Sequence, residues 1–245
     1  MDSKTGQLIE MLQSSNNIVF FGGAGVSTES GIPDFRSADG LYSESYSYPP
    51  EVMLSRSFFE DHTEEFYGFY RDKLLHPDAK PSKAHIALAE LEKMNKLKAV
   101  ITQNVDDLHT AAGSVNVLEL HGSALRNLCM SCSKDYPLDK IIQSLGIPLC
   151  TCGGIIKPDV VLYEEGLDQE VMAKAIKAIN EADVLIVGGT SLNVYPAAGM
   201  IDYYRGDNLV LINKSMTAYD RYADLVLNES IGATLGEALK ALGNI

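Results

Sequence analysis

Residues 17–37 read NIVFFGGAGVSTESGIPDFRS, an apolar run followed at once by a glycine-rich turn. The run 17–21 predicts a buried β-strand, because parallel strands that are covered on both faces are almost continuously apolar. Gly22, Gly23 and Gly25 would let backbone N–H groups approach a pyrophosphate after this strand. A glycine after a strand is also often only a tight turn. The stretch therefore indicates a nucleotide site, with a plain turn as the alternative.

The same stretch departs from the fingerprint of dinucleotide-binding dehydrogenases. Thr28 stands where that fingerprint has its third glycine. The sequence that follows contains neither a full helix nor a second strand that ends in an acidic residue. The segment 31–33, Gly-Ile-Pro, ends any helix within about two turns, because proline lacks an N–H and clashes with the preceding turn. The loop 34–36 that follows could fold over a bound nucleotide. A hydride-transfer enzyme is therefore disfavoured.

Apolar runs alternate with amphipathic stretches along the rest of the chain. The runs that predict strands are 17–21, 99–104, 117–120, 159–163, 183–189 and 209–213. The stretches that predict helices are 83–94, 167–182 and 234–242. Alternation of this kind predicts an α/β fold with a doubly wound, parallel, Rossmann-like sheet.

Two stretches interrupt this alternation. Residues 34–82 are rich in Tyr, Phe and Ser, and residues 122–154 contain all four cysteines. We expect one catalytic unit, 1–245, in which these two insertions form a smaller helical and zinc-binding lobe. The larger, nucleotide-binding lobe would then consist of residues 1–33, 83–121 and 155–245.

Length, composition and charge restrict the class of protein. The chain has 245 residues, of which 46% are hydrophobic, enough for a substantial core. Its formal net charge of −13 repels phosphate backbones, so we expect no direct nucleic-acid binding. The sequence has neither a signal-peptide pattern nor an apolar run long enough to span a membrane. We therefore expect a soluble, cytoplasmic protein, whose oligomeric state the sequence leaves open.

The four cysteines form one pattern: Cys129-x-x-Cys132, seventeen intervening residues, then Cys150-x-Cys152. Four thiolates suit tetrahedral zinc. Two disulfides or four unrelated free thiols are the alternatives. No neighbouring histidine or glutamate suggests an open ligand position, so we expect a structural zinc rather than a catalytic one.

Six separated motifs resemble those of the sirtuin family of NAD-dependent protein deacylases, in that family's order and over nearly the whole chain. The motifs are GAGVSTESGIPDFR (23–36), TQNVDDLH (102–109), LHG (120–122), KPDVVLY (157–163), GGTSLNVYPAAG (188–199) and VLIN (210–213). The resemblance implies removal of acetyl groups from lysines of protein or peptide substrates, with NAD consumed. A mono-ADP-ribosyltransferase and a non-catalytic NAD-sensing or zinc-dependent interaction module are the alternatives.

The resemblance also implies the catalytic residues. His121 would be the general base, and a neutral imidazole can accept a proton near pH 7. Gln103, Asn104 and Asp106 would contact the nicotinamide end of NAD, with Val105 lining that pocket. Taken alone, Asn104 and Asp106 could merely cap the next helix, and a lone histidine is more often packed or solvated.

Further positions match family contacts to the cofactor and the substrate. Phe35 would cover the reactive carbon, Asn213 would bind the adenosine ribose, and Ile231 would act through its backbone. The other matching cofactor positions are Ala24, Thr28, Arg36, Thr190 and Ser191. The matching substrate positions, expected to line the acyl-lysine tunnel, are Val160, Val161, Tyr163 and Val194. A plain core strand is the alternative for 159–163.

Two departures from the family pattern affect the substrate side. Glu164 stands where the family commonly has glycine, so peptide docking could differ there. Family members that remove acidic acyl groups carry a Tyr-x-x-Arg pair in the helix that corresponds to residues 66–75. Here Tyr67 is followed three residues later by Tyr70, and Arg71 comes one position too late. One residue rotates a helix by ~100°, so we expect a preference for acetyl or other neutral acyl groups.

Overall fold

The structure is a computed structural model that describes residues 3–35, 37, 40, 41 and 46–243. Its main sheet has six strands in the order β3-β2-β1-β7-β8-β9, and every neighbouring pair is parallel. These strands are β1 (Ile18–Gly22), β2 (Leu97–Thr102), β3 (Val117–Glu119), β7 (Val184–Gly188), β8 (Leu209–Ile212) and β9 (Leu225–Leu227). The predicted parallel α/β fold is confirmed.

Strand order reverses in the middle of this sheet. The chain passes from β1 outward through β2 to β3, then returns to place β7 on the other side of β1. At such a reversal the connecting loops diverge, and the carboxyl ends of the two central strands open a crevice. The glycine-rich turn follows β1 and therefore lies in this crevice.

Helices cover both faces of the main sheet. The α-helices are α1 (Ser3–Ser14), α2 (Pro50–Met53), α3 (Arg56–Asp61), α4 (Thr63–Lys73), α5 (Lys83–Lys93), α6 (Leu108–Ala111), α7 (Leu138–Ile142), α8 (Gln169–Glu181) and α9 (Ile231–Gly243). Residues of α1, α5 and α9 form one hydrophobic cluster with the sheet. On the opposite face, α8 and the 3-10 helix Ala197–Tyr203 form a second cluster. Burial on both faces explains why the central strands are apolar throughout.

A second, three-stranded antiparallel sheet has the order β5-β4-β6. Its strands are β4 (Gly122–Cys129), β5 (Asp135–Pro137) and β6 (Ile156–Val160). A third hydrophobic cluster joins this sheet to α3, α4 and α7, with the aromatic side chains of Phe59, Phe66 and Tyr67 fully buried inside it. The assignment of residues 34–82 and 122–154 to a separate lobe stays a prediction.

Several elements differ from the sequence prediction. The run 159–163 does not belong to the parallel sheet, because its strand begins earlier, as β6, and pairs with β4. A short apolar run does not reveal which sheet a strand joins. Helices α1 and α7 and strands β4, β5 and β9 were not predicted. Within the described part of the chain, no helix is long and apolar enough to cross a membrane.

Candidate active site and metal centre

The glycine-rich turn after β1 packs directly against the loop after β7. The N–H of Gly25 donates to the carbonyl oxygen of Gly189 at 2.8 Å, and a Cβ at Gly25 would lie 2.7 Å from the Gly189 Cα. A Cβ at Gly23 would lie 2.9 Å from the Cβ of Thr190. Contacts this short exclude any side chain at either glycine. The glycines therefore allow two backbones to meet, besides leaving amide groups near a ligand.

The turn contains no full helix. Two 3-10 turns, Ala24–Val26 and Thr28–Ser30, are followed by Gly31 at φ 84, in the left-handed region that favours glycine. The Thr28 hydroxyl donates to the carbonyl oxygen of Gly25 at 3.0 Å and braces this short segment. The expected early end of the helix is thus observed, and the chain then passes into the segment around Phe35.

One cavity of about 950 Å³ lies at the carboxyl edge of the main sheet. Ligand pockets usually measure ~300–1,000 Å³, so its size suits a molecule as large as a dinucleotide. The predicted cofactor and substrate residues that line it are Ala24, Thr28, Phe35, Gln103, Asn104, Val105, Asp106, His121, Val160, Val161, Tyr163, Thr190, Ser191, Val194, Asn213 and Ile231. Arg36, also predicted to contact the cofactor, lies outside the described residues.

A buried serine joins the glycine-rich turn to the segment after β2. The Ser27 hydroxyl donates to Asp106 Oδ2 at 2.6 Å and accepts from Asn104 Nδ2 at 3.0 Å. Asp106 Oδ1 accepts from the backbone N–H of Leu108 at 3.0 Å. Asp106 thus accepts from the first N–H of α6, whose N-cap residue is Asp107, and also lines the cavity. Ser27 was not among the predicted site residues, because a serine in a glycine-rich turn resembles an ordinary turn residue.

His121 directly follows β3 and Leu120, and its ring is oriented by the backbone. Its Nδ1 lies 2.8 Å from the carbonyl oxygen of Gln103. Because a carbonyl can only accept, Nδ1 carries the proton and the neutral ring keeps Nε2 as a proton acceptor. Burial lowers the pKa of His121 from its usual value, although the hydrogen bond to Gln103 opposes this shift. The imidazole is therefore neutral at pH 7, as a general base must be.

Polar side chains that follow β2, β7 and β8 meet in the lining of the cavity. Gln103 Nε2 donates to the Thr190 hydroxyl at 3.1 Å, and the Thr190 N–H donates to Asn213 Oδ1 at 3.0 Å. Asn213 Nδ2 is buried and has no hydrogen-bond partner among the described residues. A buried, unpaired donor costs about 1–3 kcal/mol, and a ribose hydroxyl could accept from it. This orphaned amide fits a nucleoside better than an apolar ligand.

The segment after β6 forms the opposite wall. The Tyr163 N–H donates to the Leu54 carbonyl at 3.0 Å, and the Arg56 N–H donates to the Tyr163 carbonyl at 2.9 Å. Glu164 adopts φ 75, which explains a family preference for glycine at this position. Its carboxylate accepts from the Ser57 N–H at 2.9 Å and from the Ser57 hydroxyl at 3.0 Å. Glu164 thereby binds the first turn of α3.

Helix α4 presents Tyr70, but not Arg71, to the cavity. Arg71 Nε donates to the carbonyl oxygen of Ile141 at 2.9 Å, and Nη2 donates to that of Gly146. Both acceptors belong to the small-sheet region, so this guanidinium holds α4 against α7. The geometry agrees with the expected rotation of the charge away from the acyl position.

The sulfur atoms of the four cysteines converge at one point. The Sγ–Sγ distances are 3.5 Å for Cys129–Cys152, 3.5 Å for Cys132–Cys152 and 3.6 Å for Cys132–Cys150. All four lie within 4.8 Å of one another. A tetrahedron with zinc–sulfur bonds of ~2.3 Å has sulfurs ~3.8 Å apart, so the donor set fits zinc. The shortened Cys150-x-Cys152 pair can still direct both sulfurs at one metal.

Comparisons with known proteins agree with these motifs. Residues 23–196 match the family model described as the Sir2 family. An NAD-dependent protein deacetylase of Clostridium perfringens is 62% identical over 243 residues, which cover 98% of this chain and 100% of that protein.

Solved structures agree as well. A Sir2 structure with p53 peptide and NAD⁺ has a TM-score of 0.88 at 37% identity, covering 99% of this chain and 100% of that one. A Sir2 variant with deacetylated p53 peptide and 3'-O-acetyl ADP-ribose has a TM-score of 0.89 at 37% identity, covering 99% of both chains. The chain belongs to the Sir2 family, the sirtuins.

Proposed function

We propose that this protein is an NAD-dependent protein lysine deacetylase. It transfers the acetyl group of acetyl-lysine to ADP-ribose and releases nicotinamide, O-acetyl-ADP-ribose and free lysine. The observation that carries this proposal is the neutral imidazole of His121, whose Nδ1 proton is held by Gln103 at the edge of the same cavity as the Ser27–Asp106 pair. Relatives named NAD-dependent protein deacetylase support it, since identity reaches 62% over nearly the whole chain.

Different residues of this cavity bind different parts of NAD. NAD supplies an activated ribose whose bond to nicotinamide can break. Asp106 and Asn104 hold the nicotinamide end, and Ser27 fixes both side chains relative to the glycine-rich turn. Asn213 Nδ2 and the Thr190 region hold the adenosine end. Alignment of this kind matters because an acetamide oxygen is a weak nucleophile that reacts only when held close.

His121 acts after the acetamide oxygen has reacted. We assign its Nε2 the removal of a proton from a ribose hydroxyl, which then attacks the bound acyl group. Phe35 lies in the lining of the same cavity, where an aromatic ring limits access by water. Val160, Val161, Tyr163 and Val194 would surround the acyl-lysine chain.

The metal centre has a structural role. Cys129, Cys132, Cys150 and Cys152 would bind one zinc ion, which supplies a tetrahedral crosslink between the turns that carry the two cysteine pairs. All four positions are sulfur ligands, so the ion has no open position for a substrate. We therefore assign it no part in the reaction.

The acyl group that fits this site is neutral. Tyr70 contributes an aromatic surface to the cavity, whereas the guanidinium of Arg71 is held by backbone carbonyls of the small-sheet region. Arg71 is therefore not available to pair with the carboxylate of a succinyl group, and burial of that carboxylate without a partner would be costly. We propose a preference for acetyl and similar uncharged acyl groups.

Two further expectations accompany this function. Protein or peptide substrates with acetylated lysine are the partners, and no direct nucleic-acid binding is expected of a chain with a net charge of −13. A cytoplasmic location remains a prediction from the sequence.

The proposed function can be tested with an acetyl-lysine peptide. We expect loss of the acetyl group in mass spectra only when NAD is present, and a loss of at least ~100-fold in rate for His121→Ala. Covalent attachment of ADP-ribose to the protein or peptide, without loss of acetyl, would instead favour a mono-ADP-ribosyltransferase. NAD binding without any turnover would favour a sensing module.

A further inference from the structure

The hydroxyl of Tyr136 lies between the metal centre and the backbone of the second cysteine pair. Tyr136 is the middle residue of β5 and pairs with Asn127 of β4. Its Oη donates to the Sγ of Cys150 at 3.1 Å and accepts from the N–H of Thr151 at 3.2 Å. The hydroxyl thus bridges a ligand sulfur and the amide that immediately follows it.

The first sulfur of each cysteine pair accepts a hydrogen bond from an amide of its own turn. In the longer pair, Cys129 Sγ accepts from the N–H of Ser131 at 3.4 Å. In the shorter pair, Cys150 Sγ accepts from the N–H of Cys152 at 3.4 Å. The neighbouring amides of that turn are used elsewhere, because the Thr151 N–H donates to Tyr136 and the Gly153 N–H donates to the carbonyl oxygen of Cys150.

Tyr136 adds a donor to the sulfur of Cys150. With its O–H, this buried sulfur receives a second hydrogen bond beside the one from the N–H of Cys152. Four thiolates around one dication leave an excess of negative charge, and hydrogen bonds to the sulfurs stabilise that charge and orient the ligands. The Tyr136 ring is itself held in place, with Lys134 Nζ 5.3 Å from its centroid.

We propose that Tyr136 is a positioning residue of the metal centre. Its hydroxyl gives the Cys150 sulfur a second hydrogen bond that no further amide of the shortened Cys150-x-Cys152 pair supplies, and thereby slows release of the metal. This inference rests on the zinc site of the proposed function and concerns the stability of that site, not deacetylation.

The first test uses the full chain with Tyr136→Phe, which removes only the hydroxyl. Zinc release is followed by transfer to an excess of a chromogenic chelator. We expect release about 10-fold faster than in the unmodified protein, because loss of an outer hydrogen bond typically costs ~10–100-fold in metal affinity. Tyr222→Phe, at an exposed tyrosine outside the metal centre, is the matched control and should release zinc at the unmodified rate.

A spectroscopic measurement separates a hydrogen bond to sulfur from a general loss of packing. With Co²⁺ in place of zinc, the sulfur-to-cobalt charge-transfer band should shift in Tyr136→Phe and stay unchanged in Tyr222→Phe. Unchanged release and an unchanged band in Tyr136→Phe would overturn the inference. Absence of zinc from the unmodified protein, after reconstitution under reducing conditions, would overturn the metal site itself and is therefore a distinct result.

A rescue experiment tests the compensation directly. Insertion of one glycine between Thr151 and Cys152 lengthens the pair to Cys-x-x-Cys and supplies another amide. In that background Tyr136→Phe should change zinc release by less than ~2-fold. If Tyr136→Phe alone fails to fold, the insertion should restore zinc binding to it. Failure of the double variant to hold zinc, when the insertion alone holds it, would contradict compensation.

Discussion

At the scale of single residues, the orientation of His121 decides which nitrogen can act. The Nδ1–H group of His121 donates to the Gln103 carbonyl, so only Nε2 remains as a base. A general base loses activity once it is protonated. Burial lowers the pKa of His121 below its usual value of ~6.5, and the enzyme should therefore tolerate mild acid better than an exposed histidine would allow.

The pH profile of kcat/KM tests this point. We expect the rate to fall as pH decreases, with the midpoint of this acid limb below ~6.5, because the folded protein keeps His121 neutral to lower pH. Steady-state assays with a saturating cofactor and an acetyl-lysine peptide between pH 5 and pH 8 would measure it. An acid limb with its midpoint clearly above 6.5 would contradict a desolvated base at this position.

Residue positions in the site were largely predictable from the sequence, and the hydrogen bonds were not. The predicted His121, Asn104 and Asp106 do line one cavity, because motifs at the ends of parallel strands converge on one edge of the sheet. The link from Ser27 to Asp106 joins residues 79 positions apart. No local pattern reveals such a contact, so Ser27 could be found only in the folded chain.

At the scale of elements, Glu164 connects the segment after β6, which lines the cavity, to α3. Its backbone adopts a left-handed conformation. A non-glycine residue at φ 75 costs about 1–2 kcal/mol, and two hydrogen bonds to Ser57 offset part of this cost. A glycine would remove the strain together with the bonds, whereas an alanine would keep the strain and lose the bonds.

Two variants at this position should therefore differ in stability. We expect Glu164→Ala to lower the free energy of unfolding more than Glu164→Gly does, by about 0.5–1 kcal/mol. Urea denaturation of both variants at pH 7 provides the comparison. If alanine proves as stable as glycine here, the left-handed backbone at Glu164 contributes no strain.

At the same scale, the zinc centre is expected to hold the small sheet together. Stripping the metal with a chelator under reducing conditions should unfold the three-stranded sheet region, because β4 carries Cys129 and the turn before β6 carries Cys150 and Cys152. Loss of hydrogen-exchange protection in β4 and β6, with β1 and β7 still protected, is the expected result. Verified metal-free protein with unchanged exchange and activity would refute a structural metal.

For the small sheet, the sequence predicted the metal centre but not the pairing of its strands. The cysteine spacing predicted a metal centre, and the four sulfurs do converge. The run 159–163 was assigned to the wrong sheet, because it overlaps β6, which pairs with β4 and buries Ile156 in the small-sheet cluster rather than between two helical layers. The partner of a short strand depends on tertiary packing that local hydrophobicity does not encode.

At the scale of the whole molecule, two buried histidines link folding to pH. His85 and His109 pack with ring centroids 4.6 Å apart, and burial lowers their pKa values to about 4 and about 3. In the unfolded chain both would titrate near ~6.5. Between pH 6.5 and pH 4 the unfolded state therefore binds protons that the folded state does not, and stability falls as the pH decreases.

The expected loss amounts to a few kcal/mol, since each pKa unit corresponds to ~1.4 kcal/mol. Urea unfolding at pH 7 and pH 5 would show it as a lower free energy of unfolding at pH 5. A His109→Asn variant should lose less stability over this interval than the unmodified protein does. If the free energy of unfolding changed equally between pH 7 and pH 5 in both proteins, His109 would not be kept neutral by burial.

The position of Arg71 also bears on the proposed preference for neutral acyl groups. Because Arg71 binds the Ile141 and Gly146 carbonyls, no guanidinium from α4 is left to pair with an acidic acyl group. Matched peptides should thus be deacetylated at least ~10-fold faster than they are desuccinylated, which parallel kcat/KM measurements would test. Faster removal of succinyl than of acetyl would contradict the neutral-acyl proposal.

The central claim is that one crevice brings acetyl-lysine and NAD together so that the acyl group passes to ADP-ribose. Its most direct test is the product balance of a single reaction, measured by mass spectrometry and nicotinamide quantification. We predict equal molar amounts of deacetylated peptide, nicotinamide and O-acetyl-ADP-ribose, and none of them when NAD is omitted. Free acetate without the acetylated nucleotide, or deacetylation in the absence of NAD, would contradict the account.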